Sequence, residues 1–158
     1  GFVMHYRDGA FRLSIEGIQT PNGINARPDE GVVYVTGSMT GMLHVYDRDP
    51  TSGALTQREG VFAAAGADNI ELDAGGNLWI GAHPKLFDLV AHLADPGHSS
   101  PSQVIRVSPQ PGGGYRSTEV YLNAGGQMSG SSVAAVRGRR LLIGQIMGDG
   151  FLDCRMDG

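Results

Sequence analysis

The sequence predicts an all-β fold made of repeated antiparallel units, and two observations support this prediction. First, the segments 22–35, 68–81 and 131–144 share one pattern: polar residues, a short strand, a turn and a strongly apolar strand. Second, glycine accounts for 25 of the 158 residues, roughly twice its usual ~7% share, as is typical of turn-rich β proteins. The polar starts Asn22 and Asn69 lie about 47 residues apart, within the ~40–50 residues of propeller repeats. We therefore predict a β-propeller in which the polar starts converge on a central axis.

Short β-rich runs between turn residues define the expected strands. They form the last two strands of one blade, two complete four-stranded blades and three strands of a final blade. A six-bladed ring has about 24 strands, so we predict one partial propeller domain over 1–158, about half of a ring. Because the chain opens at Gly1 directly on a strand, we expect it to be the C-terminal half of a larger protein. The predicted strands are 2–6, 10–15, 22–27, 32–36, 42–47, 54–62, 68–72, 77–82, 103–108, 115–122, 131–136, 140–146 and 150–156.

One blade carries an insertion at about residues 84–100. Asn69 and Ser132 are about 63 residues apart, which exceeds an ordinary blade repeat. Within the insertion, apolar residues recur at i, i+3, i+4 and i+7, and Pro84 suits a first helical position. We predict a short helix that either caps the propeller or walls a pocket. The apolar positions are Leu86, Leu89, Val90 and Leu93.

The composition excludes several classes of function. The net charge is −4 and the pI is about 5.6, which argues against nucleic acid as a partner. The basic segment Arg137–Arg140 is better explained as a hairpin turn. No apolar run approaches the ~20 residues of a transmembrane helix, and we see no signal peptide within the chain. The chain should be soluble, but the sequence predicts no compartment, and the lone Cys154 cannot form an internal disulfide.

Oxygen-bearing side chains occupy the polar starts of two adjacent repeats. Asn22, Asp68 and Asn69 offer the carboxylate and amide oxygens that calcium prefers. Zinc would need clustered His or Cys ligands, and the histidines are scattered. The alternative is that Asn and Asp stand there only because they favour turns. The histidines are His5, His44, His83, His92 and His98.

Two further side chains are candidates for the same end of the blades. His83 follows the apolar strand of its repeat and could act as an acid, a base or a polariser. It could equally be a surface-loop histidine. Ser132 begins the third inner strand, but no Gly-x-Ser-x-Gly elbow surrounds it, so a serine nucleophile is poorly supported.

An ordered set of motifs along nearly the whole chain resembles the C-terminal half of the paraoxonase and arylesterase family. That family is related to the gluconolactonase and strictosidine-synthase-like propellers. The resemblance implies a six-bladed propeller with two calcium ions in its tunnel, which hydrolyses lactones and aryl esters. The motifs are Pro21–Asn25, Val33–Val35, Leu43–Tyr46, Asp68–Ile70, Leu78–Pro84, Gln103–Val107, Gly130–Val136 and Leu142–Gly144.

The resemblance also implies roles for individual residues. Asn22, Asp68 and Asn69 match ligands of the family's catalytic calcium, and Asp68 matches a residue considered for a direct basic or nucleophilic part. His83 and Ser132 match pocket-lining positions.

Other matched positions depart from the family pattern or depend on missing segments. We expect Thr20, Ser38 and Ile146 to line the substrate pocket. An aromatic residue can occur in the family where Thr20 stands, and a leucine where Ser38 stands, so substrate preference should differ. Cys154 matches a cysteine that pairs, in animal members, with one near the N-terminus. The family's remaining calcium ligands and its histidine dyad belong to an N-terminal half that this chain lacks.

The expected function is therefore calcium-dependent hydrolysis of aryl esters or lactones, with Asp68 and His83 in catalytic roles. The alternatives are a sugar lactonase of the gluconolactonase type and a propeller that binds a ligand or partner without catalysis. We expect this chain alone to be inactive, and its partner to be the missing half of the propeller or another copy.

Overall fold

The computed structural model describes residues 1–156, which form thirteen β-strands and one α-helix. All thirteen predicted strands are present, and their ends differ from the prediction by at most one residue. Residues 157–158 of the predicted domain lie outside the described part. The elements are β1 (Phe2–Arg7), β2 (Ala10–Glu16), β3 (Pro21–Ala26), β4 (Val32–Gly37), β5 (Met42–Arg48), β6 (Leu55–Phe62), β7 (Ala67–Leu72), β8 (Leu78–Ala82), α1 (Leu86–Ala94), β9 (Ser102–Pro109), β10 (Tyr115–Asn123), β11 (Ser131–Arg137), β12 (Arg140–Gln145) and β13 (Phe151–Arg155).

The strands form four antiparallel sheets in which sequence neighbours pair. β1 and β2 form a hairpin, β3 to β6 and β7 to β10 form two four-stranded sheets, and β11 to β13 form a three-stranded sheet. This sheet arrangement confirms the predicted all-β partial-propeller fold. The meander order follows from short turns, of which Asp8–Gly9 and Gly138–Arg139 are examples; Asp8, Gly9 and Gly138 have a left-handed backbone. The basic segment Arg137–Arg140 is thus a hairpin, as predicted.

Apolar second and third strands supply the core between blades. Leu43, Leu78 and Ile80 are fully buried in one cluster that joins the two four-stranded sheets. Burial of each such side chain contributes roughly 1.5–3 kcal/mol. A second cluster contains Trp79 and Ile143 and joins the β7–β10 sheet to the β11–β13 sheet.

Neighbouring blades approach closely where two glycines lack a side chain. A Cβ atom on Gly23 would lie 2.4 Å from the carbonyl oxygen of Asp68, and one on Gly81 would lie 2.5 Å from the carbonyl carbon of Ser132. The backbone of each later inner strand therefore rests directly on the preceding blade. This contact fixes where the polar starts of β7 and β11 lie.

Helix α1 is present between β8 and β9, but its predicted register was partly wrong. The helix begins at Leu86, so Pro84 lies before it, and Leu89 and His92 are its buried residues. Val90 and Leu93 are 62% and 47% exposed. The helix turns His92 inward because the Nδ1 atom of His92 hydrogen-bonds the carbonyl oxygen of His98, 2.7 Å away. No helix within residues 1–156 has the length and apolar character needed to cross a bilayer.

Candidate functional site

All three inner strands carry a register irregularity at the residues that the sequence singled out. The shift lies between Pro21 and Ile24 in β3, between Ala67 and Ile70 in β7, and between Ser131 and Val133 in β11. Each shift adds one residue to the inner strand. Bulges of this kind bend a strand and re-aim its side chains, and they are common beside active sites. The irregularities thus mark one end of the blades, where Asn22, Asp68, Asn69 and Ser132 lie.

Asp68 and His83 form a buried pair at this end. The Nε2 atom of His83 lies 3.0 Å from Oδ2 of Asp68, and the two side chains are 4% and 7% exposed. The Nδ1 atom of His83 is buried and has no hydrogen-bond partner within residues 1–156. A proton on Nδ1 would be a buried N–H group without an acceptor, which is costly. The favoured tautomer therefore carries its proton on Nε2 and donates it to Asp68.

Asn22 is linked through Ser38 to Ala67, the residue that precedes Asp68. The Ser38 hydroxyl donates to the carbonyl oxygen of Ala67 over 2.7 Å, so it accepts from Nδ2 of Asn22 over 3.1 Å. A carbonyl oxygen can only accept, and this fixes the direction of both hydrogen bonds. The amide oxygen of Asn22 is therefore the end of the side chain that faces away from Ser38.

The same reasoning fixes the amide of Asn69. Its Nδ2 atom donates to the carbonyl oxygen of Ser132 over 3.2 Å, with the Ser132 hydroxyl 3.4 Å away. The amide oxygen of Asn69 is thus left for another partner, and this side chain is exposed.

This donor set fits a hard cation. One carboxylate and two amide oxygens stand at adjacent bulges, and such oxygens are ligands that calcium takes. Within residues 1–156, no group of three or more His, Cys, Asp and Glu side chains is arranged to hold a metal. A site here would therefore depend on the asparagines. Convergence of Asn22, Asp68 and Asn69 on one ion stays a prediction.

The expected pocket residues lie around this end but differ in exposure. Ser38 is 9% exposed and Ser132 is half-buried, and both contact the asparagines. Thr20 is exposed, has a left-handed φ of 50°, and accepts a hydrogen bond from the amide of Ser38. Ile146 is 41% exposed, and its amide bonds the carbonyl oxygen of Gly130. Their role as pocket walls remains a prediction.

Two supporting residues were not predicted from the sequence. The Thr36 hydroxyl is fully buried, accepts from the amide of Gly23 over 2.8 Å and donates to the carbonyl oxygen of Asp68 over 2.7 Å. Gly66 bonds Ser38 through its amide and His83 through its carbonyl oxygen. In the sequence, Thr36 could have been noticed because it is a polar residue at the end of the apolar run Val32–Val35. Gly66 could have been noticed because it is a glycine directly before Ala67 and Asp68.

The chain is similar in sequence to arylesterases. A profile of the arylesterase family matches residues 1–155. Serum paraoxonase/arylesterase 2 of Rattus norvegicus is 34% identical over 148 residues, which are 91% of this chain and 40% of that protein. Serum paraoxonase/arylesterase 1 of Homo sapiens is 31% identical over 146 residues, which are 92% of this chain and 40% of that protein.

Solved structures with low sequence identity share the fold. A putative 6-phosphogluconolactonase of Bacteroides uniformis matches with a TM-score of 0.56 and 20% identity, over 91% of this chain and 40% of that chain. A protein of Lactobacillus plantarum matches with a TM-score of 0.64 and 14% identity, over 99% of this chain and 45% of that chain. At these identities the likeness concerns the fold alone.

The matches cover nearly all of this chain but less than half of each relative. The chain spans about 40% of the length of the curated relatives that it matches. Within that span the family profile covers almost every residue, and the blades, the bulges and the Asp68–His83 pair occupy the matched region. The chain therefore belongs to the arylesterase family.

Proposed function

We propose that the protein containing this chain is a calcium-dependent hydrolase of lactones and aryl esters. The observation that carries the proposal is the buried Asp68–His83 pair at a bulge of β7, together with Asn22 and Asn69, whose amide nitrogens are bonded to Ser38 and to Ser132 so that their amide oxygens are left for another partner. Membership of the arylesterase family supports an ester or lactone as the substrate.

In this proposal, Asn22, Asp68 and Asn69 hold the calcium ion through side-chain oxygens. Calcium, when bound, supplies a Lewis acid that polarises the substrate carbonyl and stabilises the developing oxyanion. Ser38 and Ser132 hold the two amides in the orientation that presents oxygen, because each accepts an N–H bond from its asparagine.

Asp68 is the proposed catalytic residue. Its Oδ2 atom accepts the hydrogen bond from His83 and keeps a second lone pair for calcium, so Oδ1 is the oxygen available for chemistry. It takes a proton from water as the water oxygen attacks the carbonyl carbon, and returns that proton to the leaving oxygen when the acyl C–O bond breaks. In the alternative, Asp68 attacks that carbon itself, the acyl C–O bond breaks as the leaving oxygen departs and takes a proton from water, and a second water hydrolyses the resulting anhydride and restores the carboxylate. His83 acts as a positioning residue, since its Nε2–H fixes the carboxylate and its buried Nδ1 cannot pass a proton onward.

The pocket walls in this proposal are Thr20, Ser38, Ser132 and Ile146. Thr20 and Ser38 are small, so they leave room in the pocket; the exposed Thr20 carries a hydroxyl, whereas the Ser38 hydroxyl is already bonded to Ala67 and Asn22. Ile146 provides an apolar surface next to Leu89 of helix α1, since both side chains lie within 3.3 Å of the position of a Cβ atom on Gly130.

We further propose that the remaining calcium ligands come from outside this chain. Three residues that each bind once provide three oxygens, whereas calcium takes about six to eight. The other ligands would come from a further part of the same protein or from a second copy, with water in the remaining positions.

The proposal is tested on the complete protein with phenyl acetate, a γ-lactone and gluconolactone as substrates. We expect hydrolysis of the first two, loss of activity with a calcium chelator and recovery when calcium is added. Asp68→Asn should reduce kcat at least about a hundredfold, because it removes both the charge and the base. Activity that persists with excess chelator would reject the mechanism. A preference for gluconolactone would favour a sugar lactonase, and binding without turnover of any substrate would favour a non-catalytic propeller.

A further inference from the structure

A cavity lies at the end of the two complete blades opposite the candidate site. Its volume is about 420 Å³, which is within the ~300–1,000 Å³ of small-molecule sites. It opens between the turns after β3 and β7, where Arg27 and Asp73 line it, and it extends to Tyr34 and Tyr115. Leu72, which lines the cavity, lies four positions after Asp68 along β7, so the cavity is roughly 13 Å from the proposed catalytic end. It is thus a separate site.

Two tyrosine hydroxyls meet on the wall of this cavity. The hydroxyl oxygens of Tyr34 and Tyr115 are 3.2 Å apart, and Tyr34 is 2% exposed. Each hydroxyl has one proton, but only one proton can lie between the two oxygens. Within residues 1–156 neither hydroxyl has a further protein acceptor. The pair therefore presents one unused O–H donor, which a ligand in the cavity can accept.

The Tyr34 hydroxyl remains protonated at neutral pH. Burial, together with the hydrogen bond to Tyr115, raises the pKa of Tyr34 well above its ordinary value of 10.0. Positive charge from Arg27 and Arg58 opposes this shift only in part.

The charged groups of the cavity also favour a ligand that accepts hydrogen bonds. Arg27 gives one N–H group to Asp29, and its other guanidinium donors have no partner within residues 1–156. Asp73 is the carboxylate on the lining, but its oxygens already accept bonds from Gly75, Asn77 and Trp79. Burial would raise the pKa of Asp73, but these hydrogen bonds lower it overall, so Asp73 stays an occupied acceptor.

The remaining walls are apolar. Leu72 and the ring of Tyr115 pack on the main core, and Pro28, Ala74 and Pro109 complete the lining. A ligand that fits this cavity therefore has an apolar body and an end that accepts several hydrogen bonds from cationic and hydroxyl donors.

We propose that this cavity binds a small carboxylate with an aromatic or branched aliphatic body. The carboxylate accepts bonds from the Arg27 guanidinium and from the free hydroxyl of the tyrosine pair. The apolar body lies against Leu72, Pro109 and Tyr115. The site does not depend on calcium or on catalysis.

The test uses benzoate as the probe and the complete protein in excess chelator, followed by amide chemical shifts and calorimetry. Benzoate should bind saturably and shift the amides of Arg27, Gly75, Gly76 and Tyr115, whereas benzyl alcohol should bind at least about tenfold more weakly. Arg27→Gln should weaken benzoate binding about tenfold, since it removes a charged donor. Arg12→Gln is the control, because it removes the same charge from an exposed strand position.

The tyrosines provide a second, independent measurement. Tyr34→Phe and Tyr115→Phe should each have a small effect, because the remaining hydroxyl still has one free proton. The double variant has none, so it should weaken binding about fivefold or more. The proposal is overturned if the Arg27→Gln and double variants bind benzoate as the wild type does. It is equally overturned if the shifts fall only near Asn22 and Asp68, or if benzoate does not bind. Because calcium is absent throughout, failure of the calcium mechanism would not mimic any of these results.

Discussion

His83 donates from Nε2 to Oδ2 of Asp68 over 3.0 Å, and the other ring nitrogen of His83 is buried without a partner within residues 1–156. This relationship limits what the histidine can do. A catalytic acid–base histidine exchanges protons with substrate or solvent, which requires an accessible nitrogen. His83 instead holds one oxygen of Asp68, and the proposed mechanism uses the other oxygen of that carboxylate.

The first prediction concerns His83→Gln in the complete protein. The amide can still reach toward Asp68 but cannot hold it in the same place, so kcat should fall about tenfold to a hundredfold with little change in KM. The melting temperature should change little. His44→Gln is the control, since His44 lies on β5 and contacts Gln57. Unchanged kinetics with a large loss of melting temperature would show that His83 is purely structural.

The second prediction concerns the two amide oxygens. Asn22→Ala and Asn69→Ala should each raise the calcium Kd at least about tenfold, because each removes one oxygen ligand. Calorimetric calcium titration of the complete protein measures the effect. Asn123→Ala is the control, because Asn123 lies at the end of β10 and bonds the turn that contains Gln127. If Asn22→Ala and Asn69→Ala bind calcium as tightly as the Asn123→Ala control, these two asparagines are not calcium ligands.

The third prediction concerns the loop that supports His83. A Cβ atom on Gly66 would lie 2.3 Å from the carbonyl oxygen of His83, and the φ of Gly66 is 66°. Gly66→Ala should therefore destabilise the protein by about 2 kcal/mol or more and reduce kcat, since it displaces the histidine. Gly76→Ala is a matched control, because its φ is 78° but nothing lies within 4 Å of an added Cβ. That variant carries only the backbone strain of about 1 kcal/mol. Equal effects of the two substitutions on kcat would argue against a supporting role for Gly66.

The sequence predicted the strands and their grouping because short apolar runs between glycine-rich turns are compatible with few structures other than antiparallel strands. It also indicated Asn22, Asp68 and Asn69, since polar residues at equivalent strand starts repeat along the chain. It did not predict the burial of His92 in α1, because Val90 and Leu93 fit the helical periodicity better. It missed Thr36 and Gly66, whose contacts with Asp68 and His83 arise only when adjacent blades pack. The local sequence pattern therefore predicts the strands, whereas the candidate site also depends on contacts between neighbouring blades.

The fourth prediction concerns acid stability and Asp73. Burial would raise the pKa of Asp73, but hydrogen bonds from Trp79, Asn77 and Gly75 lower it below its ordinary value of 3.8. A lowered carboxyl pKa contributes stability that is present above the unfolded value and is lost as pH falls through the folded value. Asp73→Asn should therefore destabilise the protein at pH 7 by about 1–2 kcal/mol. The difference from the wild type should shrink below about pH 4.

Denaturant unfolding at pH 7, 5 and 3 measures this difference. Asp149→Asn is the control, since Asp149 lies in the turn before β13 and is exposed. A difference between wild type and Asp73→Asn that is the same at pH 7 and pH 3 would show that the charge of Asp73 is unimportant.

The fifth prediction concerns the 158-residue chain studied alone. Phe2, Phe11 and Phe151 on the two outer sheets are 61%, 70% and 65% exposed, so each end of the array presents apolar surface and an open strand edge. Such edges promote association. The isolated chain should therefore self-associate or aggregate, bind calcium weakly and show no turnover of phenyl acetate, because the three proposed ligands leave most calcium positions to water. Light scattering after size exclusion, calcium calorimetry and the esterase assay measure these properties, with the complete protein as the reference. A monomer that binds calcium tightly and turns over the ester would show that these blades form a self-sufficient enzyme.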